Sequence, residues 1–304
     1  MVSAVVIVKL SRMQESQATS DEQQEYYSKL PFPEDSNVPA PVGPNNPPWS
    51  SPIAVGVWIF SVLLIVFIPT IFLFPYIFSA SGGKIDQETV TRIATGDPTG
   101  VFIQIVAILP AHLLTLLVAW FVVTKNRTYS FKEMLGWRSG GMRWWHHVAI
   151  MIGFVSLMIV VGSIFPEQDN ELLRMLRSSR LALYTIAILA VATAPLVEEV
   201  VYRGVLYSAF QRSVGTVGAV ALVTFLFALV HVPQYYPSVS TILLLTLLSL
   251  ILTLVRVYTG NLLPCIILHL IFNAFQSALL VAEPHLNVPP PGVGEQALVL
   301  LGLK

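Results

Sequence analysis

The chain has 304 residues, of which 55% are hydrophobic and 11% charged, with 17 Lys+Arg balancing 17 Asp+Glu. Soluble globular chains carry about 25% charged residues, so soluble domains are excluded, and zero net charge excludes a nucleic-acid binder, which needs a basic face against phosphates. The single cysteine, Cys265, excludes an intramolecular disulfide and any multi-cysteine metal site.

Residues 1–51 are polar and rich in proline, from Pro31 to Pro48, with no apolar run able to build a core. Most of this segment is expected to form a disordered or extended tail. Val2–Leu10 is apolar but too short to span and lacks a small-residue cleavage site, so the first span is expected to insert uncleaved. A spanning helix needs about 20 apolar residues. Seven candidates follow: 53–79, 101–124, 148–165, 181–210, 217–232, 239–258 and 262–282. The expected fold is all-α, a polytopic transmembrane helix bundle of about seven spans with polar residues converging inside the membrane. Its parts are the tail (1–51), N-terminal transmembrane helices (52–129), a core (130–282) and a C-terminal tail (283–304), where Leu298–Leu303 is too short to cross. No internal repeat points to an inverted-repeat transporter.

The segment from Lys125 to His147 carries Lys125, Arg127, Lys132, Arg138 and Arg143 against one acid, Glu133. The positive-inside rule places it in the cytoplasm together with the N-terminal tail. Trp144, Trp145, His146 and His147 read as an interfacial anchor.

Almost all charges fall in the tail or loops. Glu198, Glu199 and Arg203, in the fourth candidate, are the main exceptions. Ionisable groups in hydrocarbon are costly and mark function by default. Glu199 and Arg203 are four apart and share a helix face, so they can pair. Glu198 points about 100° away and remains free for acid or base work. His112, His231 and His269 also lie in spans, and Asn273 shares a face with His269. At 1.5 Å per residue, Glu198 and Asn273 come out at about 18 Å depth, His231 at about 24 Å and His269 at about 12 Å. His112 reads as a histidine bonded to a neighbouring helix. Cys265 reads as a small thiol filling a helix contact. Pro195 should kink the helix before Glu198, with Thr193 able to satisfy a freed group.

Glu198-Glu199-Val200-Val201-Tyr202-Arg203 fits EExxxR, Phe227 to His231 fits FxxxH, and His269 to Asn273 fits HxxxN. In that order on successive spans, they resemble the CPBP intramembrane proteases, which include type II CAAX prenyl endopeptidases and bacteriocin-processing enzymes. The stretch Phe131–Arg138 is similar to the cytoplasmic segment before the core in many members. The resemblance covers residues 130–282.

The resemblance implies hydrolysis of a peptide bond inside a helical membrane fold. By position, Glu198 would activate water with help from His231, and His269 and Asn273 would stabilise the oxyanion. Glu199, Arg203 and Phe227 would support the site. No metal is expected to be obligatory, although zinc on Glu198, His231 and His269, as in a metalloprotease, stays open. The expected partners are membrane lipid and a membrane-associated peptide or lipidated protein near the cytoplasmic leaflet. The expected location is a bacterial inner membrane. Two other readings are a non-catalytic scaffold or immunity protein on the same fold, and a proton-coupled transporter, which also uses buried Glu and His.

Overall fold

The computed structural model describes residues 41–282 except 167 and 169. Most of the expected N-terminal tail, including Val2–Leu10, and all of the C-terminal tail lie outside the described residues. Those described are helical, with one isolated β-bridge between Gly43 and Asn46. The helices are α1 (Ser51–Ala80), α2 (Gln87–Gly96), α3 (Pro98–Val123), α4 (Phe131–Leu135), α5 (Trp144–Ile164), α6 (Glu171–Ser178), α7 (Arg180–Ala192) and α8 (Ala194–Glu199). A π-helical turn (Val200–Leu206) follows, then α9 (Tyr207–Tyr235), α10 (Val239–Thr259) and α11 (Leu263–Ala282).

Six helical runs among the described residues are long and apolar enough to cross a membrane, and the chain is a multi-pass integral membrane protein. The expected fourth and fifth spans form one continuous run of 56 residues, Arg180–Tyr235. That run is not straight. Gly215 has φ 75° and ψ 171°, a conformation that glycine adopts without the steric cost of a Cβ. The rings of Tyr202 and Phe227 lie 5.0 Å apart, whereas 25 residues of straight helix would separate them by about 38 Å. The chain therefore folds back at Gly215, which reconciles six runs with about seven passes.

Local chemistry sets the helix starts. Asp97 caps α3 by accepting from the backbone N–H of Thr99 and Gly100 at 2.9 and 2.8 Å. Pro98 follows at the first helical position, where its missing N–H costs nothing. Helix α1 has no side-chain cap and also opens with proline, Pro52.

The last part of the expected tail departs from the sequence reading, because residues 43–50 are packed. Trp49 is 2% exposed and its Nε1–H donates to the Val205 carbonyl at 3.0 Å. Arg212 donates to the Pro47 carbonyl at 2.6 Å. Arg256, also buried, donates to Asn45 Oδ1 at 2.9 Å and to the Pro44 carbonyl at 2.7 Å. Arginines from α9 and α10 thus satisfy proline-rich backbone that has no ladder of its own.

The same end of the bundle holds α4. Gly136 terminates it with φ 70°, and its carbonyl accepts from Leu262 N at 2.9 Å. A Cβ at Gly136 would stand 2.9 Å from Asn261 Cα. The cationic segment after α3 and the strap at residues 43–50 therefore share one end of the bundle, as the charge pattern implied. A core of Leu135, Val205, Leu206, Tyr207, Phe210 and Leu262 seals that end.

Candidate active site

The site begins at a break. Helix α7 ends at Ala192, and Thr193 leaves helical geometry with φ −121°. Pro195, in the first turn of α8, has no N–H to donate. Two side chains donate to carbonyls beside the break. Thr193 Oγ1 donates to Leu189 at 3.0 Å, and Asn273 Nδ2 donates to Ala190 at 2.8 Å. The expected break before Glu198 is present, but Thr193 bonds a carbonyl that its own backbone N–H already meets, so the freed Ala190 carbonyl is met by Asn273 from α11 instead.

Helix α8 then presents the two glutamates differently. Glu199 is fully buried and Glu198 keeps 26% of its side chain exposed. Arg203 Nη1 donates to Glu199 Oε1 at 2.8 Å, the pairing expected from the sequence. The same oxygen accepts from Nδ1 of His269 at 2.7 Å. Glu199 is therefore more than an arginine partner: it fixes the ring of His269. The other ring nitrogen, Nε2, faces Glu198 Oε2 at 3.8 Å.

His231 Nδ1 lies 2.7 Å from the Phe227 carbonyl. A carbonyl only accepts, so Nδ1 carries the proton and the neutral ring keeps its lone pair on Nε2. The Phe227 ring lies 4.6 Å from the His231 ring and 6.3 Å from that of His269. Arg203 Cζ stands 5.0 Å from the centroid of the Phe227 ring, a cation–π geometry.

A cavity of about 500 Å³ gathers these groups. Glu198, His231, His269, Asn273 and Phe227 line it, while Glu199 and Arg203 lie behind its wall. The expected convergence of three helices inside the membrane is thus present. The cavity extends along α11 through Gln276 and Leu280 and reaches Leu173 on α6. It leads away from the sealed end that carries the strap. The side chains of Glu171, Arg174 and Arg177 lie outside the described residues.

His112 lines the cavity too. Its Nδ1 lies 2.9 Å from Thr193 Oγ1, whose own proton goes to Leu189, so His112 is the donor. This is the helix–helix bond expected of it. Cys265 is completely buried, with Sγ 3.4 Å from the Leu252 carbonyl, a contact between α11 and α10 as expected.

Four contributors were not singled out from the sequence. Tyr202 lines the cavity and its hydroxyl accepts from Trp58 Nε1 at 3.1 Å. Gln276 extends the wall two turns beyond His269. Ser249 and Thr253 bind Arg203 from α10. Their signal is two hydroxyls four residues apart in an apolar span, but such groups routinely satisfy themselves on the preceding turn.

Among the described residues, no group of three His, Cys, Asp or Glu side chains has the spacing to hold a metal ion. The set Glu198, His231 and His269 therefore does not fit zinc as it stands. The Glu198–His269 approach of 3.8 Å is a pair, not a tetrahedral donor set.

Residues 180–275 match the family model of the type II CAAX prenyl endopeptidase Rce1-like domain. That segment runs from the start of α7 into α11 and contains Glu198, Glu199, Arg203, Phe227, His231, His269 and Asn273. No curated protein and no solved structure matches the chain.

Proposed function

We propose that the protein is an intramembrane endopeptidase that hydrolyses a peptide bond of a membrane-associated substrate. One observation carries this reading. A partly exposed carboxylate, Glu198, faces a histidine whose far nitrogen is already locked on a second carboxylate. Peptide hydrolysis needs a base beside water and donors at the developing oxyanion.

In this mechanism Glu198 takes a proton from the attacking water, and the Nε2 lone pair of His231 assists from the same cavity. The new C–O bond turns the scissile carbonyl into an oxyanion. Asn273 has spent one amide proton on Ala190 and offers the other. His269 donates its Nδ1–H to the Glu199 carboxylate, so Nε2 donates to the oxyanion only when the ring is an imidazolium. Collapse of the intermediate breaks the C–N bond, and the proton held on Glu198 passes to the leaving amine. No metal enters these steps.

The walls favour an apolar substrate segment. Leu173, Leu244, Leu248, Phe272 and Leu280 line the cavity beyond the polar floor. Gln276 offers an amide there to a peptide backbone. Lipidated C-termini and membrane-linked leader peptides fit this mixture, and a bacterial inner membrane suits such a chain. With the cationic segment in the cytoplasm, the substrate approaches from the opposite side of the membrane. We propose this route beside the cytoplasmic-leaflet approach expected from the sequence, on the ground that the strap end of the bundle is packed.

The test is cleavage of a panel of membrane peptides by the purified protein in proteoliposomes, beside Glu198→Gln. Cleavage by the wild type and none by the variant supports the reading. Ion flux without cleavage would instead favour a transporter.

A further inference from the structure

Arg203 is buried at 0% exposure and makes four hydrogen bonds. Only one goes to Glu199. The other three go to α10: Nε to Thr253 Oγ1 at 3.2 Å, and Nη2 to the Ser249 carbonyl and Ser249 Oγ, both at 2.8 Å. Thr253 Oγ1 itself donates to the Ser249 carbonyl at 2.7 Å, which closes the cluster. Both residues are fully buried. Nothing in the EExxxR, FxxxH and HxxxN motifs lies on α10.

A guanidinium is a rigid planar fork, so three bonds on two of its nitrogens set its plane and with it the two N–H directions of Nη1. That nitrogen meets Glu199 Oε1, and the same oxygen holds His269 Nδ1. The contacts form an unbroken line from α10 to the cavity: Ser249 and Thr253, Arg203, Glu199, His269, then Glu198. A purely electrostatic partner for Glu199 would not need three acceptors on another helix.

We propose that Ser249 and Thr253 are positioning residues for the proteolytic site, acting through Arg203 and Glu199 on the orientation of His269. The inference rests on the proposed protease function and assigns α10 a part in it. Neither residue lines the floor of the cavity beside Glu198. Each acts by fixing the carboxylate that fixes the histidine. A loosened carboxylate lets the His269 ring turn, and Nε2 leaves the place where the oxyanion forms.

The experiment compares Thr253→Val, which keeps shape and removes the acceptor, with Thr253→Ser, which keeps it. Both are measured in the full chain in proteoliposomes, each also combined with Glu199→Gln. The expected result is a fall in kcat of about tenfold for Thr253→Val with KM unchanged. Thr253→Ser restores it, and Thr253→Val adds nothing in the Glu199→Gln background, because both act along one path. Ser249→Ala should behave as Thr253→Val does. A merely structural role would lower the unfolding temperature and the amount of active protein in both backgrounds, with the valine and serine variants alike per folded molecule. Wild-type cleavage with an unaffected or purely additive Thr253→Val overturns this inference alone. A wild type that cleaves nothing overturns the protease reading and this inference with it.

Discussion

Glu199 holds His269 across 70 positions of sequence, with Oε1 2.7 Å from Nδ1, while the neighbouring Glu198 stands 3.8 Å from the opposite ring nitrogen. Adjacent residues thus grip one imidazole from two sides with different exposure. Glu199 is sealed with Arg203, and Glu198 faces the cavity. The pair divides the work between holding and reacting. Breaking a buried ion pair by removing one partner costs about 3–5 kcal/mol. Glu199→Ala should therefore lower the unfolding temperature in detergent clearly, whereas Glu198→Ala should not. Equal melting of both variants would show that the burial difference carries no energetic weight.

Much of this pairing was legible beforehand. The four-residue spacing of Glu199 and Arg203 implies a shared helix face, and the bond is present. That His269 also binds Glu199 was not legible, because helix periodicity fixes faces within one helix and not which helices meet. The roles of Ser249 and Thr253 were hidden for the same reason. The fold-back at Gly215 was implied by hydropathy falling off between two apolar runs, but not its continuous helical path. The strap at residues 43–50 was read as tail because proline-rich sequence offers no periodicity. Its burial depends on Arg212 and Arg256, distant in sequence.

That strap makes its own prediction. Trp49→Phe removes the donor to the buried Val205 carbonyl and should cost about 1–3 kcal/mol, the penalty for an unmade buried bond. Trp49→Ala should cost about 3–5 kcal/mol through the lost volume. Denaturation in detergent checks both. An unchanged midpoint for Trp49→Ala would mean that the strap does not hold the bundle end.

The closed strap end and the cavity should face opposite sides of the membrane. Cys265 is fully buried, so engineered cysteines can be read on the natural background. Gln234→Cys lies on the cavity and Arg138→Cys on the cationic segment, both at exposed positions. A membrane-impermeant maleimide should label Arg138→Cys only from the cytoplasmic face and Gln234→Cys only from the other. Labelling of both from one face would contradict the placement of the cavity mouth.

The cap of α3 carries a pH dependence. Backbone donation from Gly100 is the chief cause that holds the Asp97 carboxyl below the usual carboxylate range; partial burial opposes it, and the Tyr76 hydroxyl, the Thr99 N–H and the nearby Arg92 charge add to the lowering. A folded-state value below the unfolded one gives stability that is present above the unfolded value and lost as pH falls through the folded one. Asp97→Ala should cost about 1 kcal/mol at neutral pH, and the difference from wild type should shrink in acid below the ordinary carboxylate range. Unfolding midpoints at neutral and acidic pH read this directly. A constant difference would assign the cap to the hydrogen bonds alone.

The central claim is that Glu198 activates water. The most direct measurement is single-turnover cleavage of a membrane peptide by wild type and Glu198→Gln in proteoliposomes, with the unfolding temperature of each. The expected result is a loss of about 10²–10⁴ in rate at an unchanged unfolding temperature. A Glu198→Gln protein that cleaves at the wild-type rate would contradict it.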